Sequence, residues 1–572
     1  MKRISAFIMA AVMLLLAGCT EQTTAAAPAE STDGITTEEI TETEKVTEEI
    51  IVAPNEDSAV KCWYTHSFTK TDPNAPKDTG LYSYTVYMAK NETESAGFVI
   101  SASEDKTGLS VEVSELVSED GSVIQGEVLR QYYINCGGTD YPDPVAPMTD
   151  ITREFDVAEG KSQAMLIQFN TNKDTAPGRY EGIVSVKCGE DTVKQLRIAV
   201  NVWDITLPEG FTSECVMGMG WGDIYRFDPQ LGENDYYRIY YDALLDYGVN
   251  AYELPYDIRS AEGQAYMSDP RVRSFRVNYS SNDDTMREYY QVLSSNEEWM
   301  EKAYFYPYDE PSSVDALNSM AAKCQRIQNL CPGVRIVVPF FVNTSISNKE
   351  DQIAFMEKYV DIWCPKSFCF TKKEDNVEGM KLLYNQKQER RFPEFGERMK
   401  SFVDEGDDLW WYVCWEPGMP YLNMYVDMTG LQNRLLFWQQ KQYNVNGFLY
   451  WYINYWSRIE NPWNSMATVG THYETGKTWL SDSVFGDGSL IYPGSEVGVT
   501  GPCSSMRLES VRDGLEEFEL FTMLEQVSGR EAVDSIIAKV SKSIVEFTDD
   551  EDAFAAARIE LGNALEAALK NK

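Results

Sequence analysis

From Cys62 to about Leu207 the apolar positions come in short runs with turn residues between them. "LYSYTVYMA", "GFVISAS", "LSVEVSEL", "SQAMLIQFN", "YEGIVSVKC" and "VKQLRIAVNVW" are rich in Val, Ile, Tyr and Phe and are broken by stretches such as "TAPGR". Such runs predict strands, and six or more of them predict a β-sandwich over residues 61–207. After "DITLPEG" the rhythm changes to apolar run, loop and amphipathic stretch. Eight runs fit barrel strands: 214–221, 249–255, 271–278, 303–311, 335–343, 359–365, 408–417 and 447–456, of which the third has the weakest pattern. Stretches such as "SSVDALNSMAAKCQRIQNL" and "TGLQNRLLFWQQKQYNV" lie between them with helical spacing. Eight alternating units predict a (β/α)8 TIM barrel over residues 208–485. Residues 486–572 read as the closing helix of that barrel and a C-terminal helical extension. The expected fold class is therefore multidomain, β followed by α/β.

The N-terminus reads as targeting sequence. Lys2 and Arg3 precede an apolar stretch, Phe7 to Leu16, too short to span a bilayer. "LAGC", Leu16 to Cys19, resembles a bacterial lipobox. That resemblance implies a signal peptide over residues 1–19, lipidation of Cys19, and a mature protein held at the cell envelope by its lipid anchor alone, with the folded part outside the cytoplasm. Residues 20–60 are rich in Thr, Glu, Ala and Pro, hold one basic residue (Lys45) and no aromatic. This composition predicts a disordered acidic spacer.

Composition narrows the chemistry. The net charge of −40 carries no basic footprint for nucleic acid and disfavours anionic polymers, so a neutral substrate is expected. Aromatic residues make up 12% of the chain, enough to supply both core volume and flat platforms for sugar faces. Ten cysteines besides Cys19 show neither a CxxC pair nor zinc-ligand spacing, and several lie in apolar runs, so free core thiols are expected. The two histidines, His66 and His472, are far apart in the chain, which argues against His-dependent triads and HExxH zinc sites. "GTHYETGKT", Gly470 to Thr478, looks like a phosphate loop, but its first glycine is one residue too far from Gly476 and no strand leads into it. No cofactor, metal or nucleotide is expected, and acid–base chemistry falls to Asp, Glu, Tyr or Lys.

"AYFYPYDEP" ends in adjacent carboxylates, Asp309 and Glu310, followed by Pro311. The strand count puts them at the C-terminal end of the fourth barrel strand, the face on which barrel active sites form. Two carboxyl groups with separate roles are what glycoside hydrolysis uses. In its substrate-assisted form the sugar's own 2-acetamido group is the nucleophile. The pair also fits a solvated helix start, where acids are favoured.

"YFYPYDEPSS", "YVDIWCP", "LWWYVCWEPGMPYLN", "GFLYWYINYW", "GDGSLIYPG" and "SSMRLESVRDGLEEFEL" together resemble glycoside hydrolase family 123 and its relatives with a DUF4091-type C-terminal region. "MAKNETESAGFVIS" and "INCGGTDYPDPVAP" resemble the family's N-terminal β-sandwich, and the resemblance spans roughly residues 80–525. It implies a β-sandwich, a (β/α)8 barrel, and exo-acting β-N-acetylgalactosaminidase activity with retention through an oxazoline. The family's Asp-Glu pair falls on Asp309 as acetamido stabiliser and Glu310 as general acid/base.

Substrate contacts are expected from Tyr308, Trp411, Tyr412, Trp415, Trp451 and Trp456, with Asn454 and Asn423 as hydroxyl partners. Alternate members of these runs fit the barrel lumen or helix-facing core equally well. Glu416, at the end of strand seven, supplies a second mechanism: Glu310 as acid/base and Glu416 as a protein nucleophile, in a β-glycosidase of other sugar specificity. A surface lipoprotein that binds glycans without cleaving them is the third reading.

Overall fold

The computed structural model describes residues 51–232, 235–342, 346, 351–375, 377, 395–456, 459–464 and 484–571. Cys19 with its lipobox, the spacer up to Ile50, His472 and the Gly470–Thr478 stretch lie outside these residues.

The N-terminal part is built from two sheets. In one, Val60–His66, Thr93–Ala102, Ser162–Asn170, Gly126–Cys136 and Thr139–Pro147 are successive antiparallel neighbours. In the other, Ser83–Lys90, Asp191–Thr206, Gly178–Cys188, Lys106–Val113 and Phe155–Val157 follow one another. Period-two alternation decides what each face buries. Phe98, Ile100, Met165 and Ile167 of the first sheet meet Val86, Met88, Val184 and Ile198 of the second in one core. Trp63, Val99 and Ala164, one position out of phase, form a separate cluster. Residues 51–60, which composition assigns to the spacer, belong to this body. Ala53 is buried, Asn55 and Asp57 donate main-chain hydrogen bonds to Thr192 and Val193, and Val60 opens the first strand. Main-chain pairing along a sheet edge leaves no mark in composition.

The barrel strands are β1 (Glu214–Met217), β2 (Asn250–Ala251), β3 (Phe275–Val277), β4 (Ala303–Phe305), β5 (Arg335–Phe340), β6 (Ile362–Pro365), β7 (Asp408–Val413) and β8 (Gly447–Tyr450). All eight lie inside the predicted runs. The ladders are parallel and run in the order β2-β1-β8-β7-β6-β5-β4-β3. Between β3 and β2 the Arg276 N–H donates to the Tyr252 carbonyl (2.7 Å) in place of a ladder, so the barrel is nearly closed. The lumen holds Val216, Tyr304, Val337, Ile362, Cys364, Trp410, Tyr412 and Leu449. The ten cysteines from Cys62 to Cys503 are free, and nine of them are buried.

Five helices bear on the site or on the junction between the two halves of the fold: α1 (Trp221–Phe227), α2 (Val314–Leu330), α3 (Gly430–Gln442), α4 (Met506–Ser528) and α5 (Glu551–Lys570). The C-terminal segment joins those halves. Pro502–Ser505 adds to the first N-terminal sheet beside Thr139–Pro147, and Tyr492–Pro493 pairs beyond it. The helix α4 packs against α3 and is buried along most of its length. The helix α5 lies on the Asp191–Thr206 strand, where a Cβ on Gly562 would come within 2.2 Å of the Trp203 ring.

Burial of α4 on every side explains why it lacks a clear polar face. Several of its charges are paired inside the fold. Arg434 of α3 reaches Glu94 (2.7 Å), Asp513 (2.9 Å) and Glu517 (2.6 Å), and Arg558 of α5 reaches Glu92 (2.6 Å). Arg507 is fully buried against Asp143 of the N-terminal sheet (2.7 Å). It also donates to the carbonyls of Met424, Gly486 and Ser489 on the barrel side. Removing one partner of a buried pair strands the other charge, which costs about 3–5 kcal/mol. Arg507→Met is accordingly expected to lower the unfolding free energy by about that amount. A loss in denaturant titration below about 1 kcal/mol, the value of an exposed pair, would count against a structural role for Arg507.

Candidate active site

β4 ends at Phe305, earlier than the apolar run suggests, and residues 306–311 turn at the barrel rim. Glu310 has φ +40°, the left-handed region that a non-glycine residue enters at a cost of about 1–3 kcal/mol. The turn is held from β5, since the Glu310 N–H donates to the Pro339 carbonyl at 3.1 Å. Asp309 and Glu310 therefore meet separate sets of partners on one face of the barrel. The following helix α2 is capped by Ser313, whose hydroxyl accepts from the Ala316 N–H at 3.1 Å. The acids do not serve as its cap, so the solvated helix-start reading is not what the local structure uses.

Asp309 opens into a cleft, and its Oδ1 accepts from the Tyr306 hydroxyl at 2.7 Å. Partial desolvation among surrounding protein atoms raises its pKa. The Tyr306 hydrogen bond opposes the rise, and the adjacent Glu310 charge adds to it. Glu310 is held from the other side. Tyr412 donates to Oε1, and the Lys366 Nζ lies 3.2 Å from the same oxygen. Oε2 has no partner among the described residues. Lys366 is 1% exposed and also reaches Glu416 Oε2 at 3.4 Å. Burial acts to lower the Lys366 pKa, but Cys414, Glu310 and Glu416 outweigh it and hold it above its ordinary value.

The cleft beside Asp309 has a volume of about 1160 Å³. Its walls come from the ends of β1 to β4 and β8 and from the start of α1. They include the aromatic rings of Tyr308, Trp451 and Tyr452 and the polar groups of Glu253, Arg276 and Asn278. Trp451 is fixed from behind. Its Nε1 donates to Asp487 Oδ2 at 3.0 Å, and Tyr450 donates to Oδ1 at 2.8 Å. Burial pushes the Asp487 pKa up to about 6 against the pull of these two donors. The Asp487 turn needs glycine at 488, which has φ +76° and would place a Cβ 2.5 Å from the Trp451 ring.

Of the residues expected at the site, Asp309, Tyr308 and Trp451 line the cleft, while Glu310, Tyr412, Trp415 and Glu416 gather around Lys366. Four expectations fail. Trp411 is one residue out of phase with Trp410 and Tyr412, so it faces outward, where it packs on Phe370. Trp456 is buried against Phe227 and Tyr240. Asn454 is buried and spends its amide on Gly220, accepting from the N–H (2.8 Å) and donating to the carbonyl (2.9 Å). Asn423 is likewise buried and donates to the Cys414 and Pro417 carbonyls. Sequence reasoning missed Tyr306, Lys366 and Asp487. A lysine directly after the strand-six run "DIWCP" was the one available signal for Lys366, because residues that follow a barrel strand stand at the active face.

The model for the catalytic domain of glycoside hydrolase 123 matches residues 236–524. No curated protein matches the chain. Among solved structures the chain is similar to a family 123 glycoside hydrolase from Clostridium perfringens. The TM-score is 0.60 at 13% identity, covering 90% of this chain and 98% of that one. A Bacteroides ovatus GH5 xyloglucanase (6% identity, 80% of this chain and 100% of that one) and a family 39 glycoside hydrolase from Bacteroides cellulosilyticus (7%, 76% and 82%) both give a TM-score of 0.26. The likeness to the first is one of fold.

Proposed function

The chain belongs to glycoside hydrolase family 123, and from that premise we propose that it is a retaining exo-hydrolase that releases β-linked N-acetylhexosamine, N-acetylgalactosamine foremost, from a glycan or glycoconjugate by substrate-assisted catalysis. One observation supports this reading above the others. The adjacent carboxylates are held by different donors, and each keeps one oxygen free of protein partners among the described residues. Tyr306 occupies Asp309 Oδ1, which leaves Oδ2 to accept the acetamido N–H and turn the acetamido oxygen toward C1. Tyr412 and Lys366 both occupy Glu310 Oε1, which leaves Oε2 to carry the proton for the leaving oxygen and later to take one from water. The C–O bond to the leaving group breaks as the acetamido oxygen bonds to C1. Water then opens the oxazoline from the face that the leaving group vacated, opposite the acetamido oxygen, so the configuration is retained.

A second reading has its own support. Glu416 and Glu310 both reach the Lys366 ammonium, at 3.4 Å and 3.2 Å, so a second carboxylate near Glu310 supports a covalent double displacement with Glu416 as nucleophile. In this proposal the two packed N-terminal sheets are the family's β-sandwich, and Cys19 tethers the protein to the cell envelope through lipid.

A panel of nitrophenyl β-glycosides of GalNAc, GlcNAc, Gal and Glc tests the reading directly. Turnover is expected only with the 2-acetamido sugars. Comparable turnover of β-Gal or β-Glc would move the assignment to Glu416, and saturable binding without any turnover would leave a glycan-binding protein.

A further inference from the structure

Lys366 and the loop after β7 divide the site into two sides. On one side is the cleft into which Asp309 opens. On the other, Glu310 and Glu416 share Lys366, and Lys366 is enclosed by rings: its Nζ lies 5.0 Å from the centre of Phe341, 5.4 Å from Tyr412 and 5.6 Å from Trp415. A buried ammonium over a ring face is held by the ring quadrupole as well as by its ion pairs, so the Trp415 indole has a fixed anchor. The loop that carries it is fixed too. The buried Asn423 amide donates to the carbonyls of Cys414 and Pro417, both at 2.8 Å, and the Cys414 N–H donates to the Glu416 carbonyl at 3.0 Å. Despite this anchoring the loop presents apolar surface to solvent, with Trp415 38% exposed and Met419 63% exposed. Large apolar side chains on a loop that the fold has immobilised, beside charged groups of a candidate active site, mark a contact surface.

We propose that Trp415 and Met419 form the leaving-group subsite, a platform for the apolar face of the sugar ring next to the one released. The inference rests on the proposed function, because it takes Glu310 to be the proton donor. A general acid must stand within hydrogen-bond reach of the leaving oxygen, so the leaving group lies on the Glu310 side of the reacting carbon, away from the cleft that holds the acetamido sugar. Trp415, tied to Glu310 through Lys366, is an exposed ring on that side. The flat face of an indole suits the axial C–H face of a pyranose and does not read its pattern of hydroxyls, and Met419 on the same loop adds exposed apolar surface. The loop therefore selects for a ring in the leaving group while tolerating many sugars.

The test compares two substrates of one released sugar: a β-linked disaccharide and the methyl β-glycoside, whose leaving group needs the same protonation but has no ring. Trp415→Ala is expected to lower kcat/KM on the disaccharide about tenfold more than on the methyl glycoside, the factor that one ring contact supplies. Met419→Ala, a milder change on an exposed side chain, is expected to move the same ratio in the same direction by a smaller factor. Equal losses on both substrates in both variants would overturn the assignment. Wild-type protein that turns over neither acetamido substrate would instead refute the proposed function, so the two failures are distinguishable.

Discussion

Glu310→Gln is expected to lower kcat/KM by about 10²–10⁴ on a β-linked disaccharide, the range that general acid–base catalysis supplies. The amide keeps the volume and still accepts at one atom from Tyr412 or Lys366, so the left-handed turn and the surrounding contacts are retained. What it loses is the proton on the oxygen that faces the leaving group. The loss is therefore expected to shrink on an activated aryl glycoside or a fluoride, whose leaving groups depart without protonation. Steady-state kinetics on the three leaving groups checks this. An equal loss on all three would mean that Glu310 is not the acid, and would point to a positional role for it instead.

Asp309→Asn and Glu416→Gln separate the two mechanisms with comparable effect. If the acetamido group attacks, Asp309 balances the positive charge that develops on the oxazoline, and the site is complementary to that intermediate. A thiazoline analogue of N-acetylgalactosamine should then bind wild-type protein tightly. Asp309→Asn should reduce turnover and thiazoline affinity together, while Glu416→Gln leaves the chemical step largely in place. This role needs the carboxylate, and partial desolvation by the surrounding protein raises the Asp309 pKa. Activity should consequently fall away on the acid side at a pH above the ordinary aspartate value of about 3.9, and that limb should move in Asp309→Asn. If Glu416 is the nucleophile, its variant is the inactive one and the thiazoline binds poorly. A 2-fluoro sugar would then leave an ester on Glu416, and detecting that ester by intact-mass measurement would end the substrate-assisted reading.

Much of the architecture is legible in the sequence. Strand periodicity and the switch to strand, loop and helix locate all eight barrel strands, because burying one face or two writes itself into the spacing of apolar residues. The position of Asp309 and Glu310 comes from counting those strands, and their pairing with an aromatic run points to the rim of a barrel. The shortage of histidine is legible as well, and it turns attention to carboxylates.

Only the tertiary structure decided which residues meet. Trp411 and Tyr412 are neighbours with the same aromatic character, and a one-residue phase sends one to the helix layer and the other to Glu310. Asn454 reads as a hydroxyl partner, but its amide closes on the Gly220 backbone more than two hundred residues away. Lys366 carries no motif, and it matters because β5, β6 and β7 bring Phe341, Lys366 and Tyr412 side by side. The C-terminal segment reads as an extension because buried ion pairs replace the apolar stripe by which a helix announces its packing. Periodicity records how much of each side chain is buried, whereas a contact between distant residues depends on the register and rotation of every element between them, which no local pattern encodes.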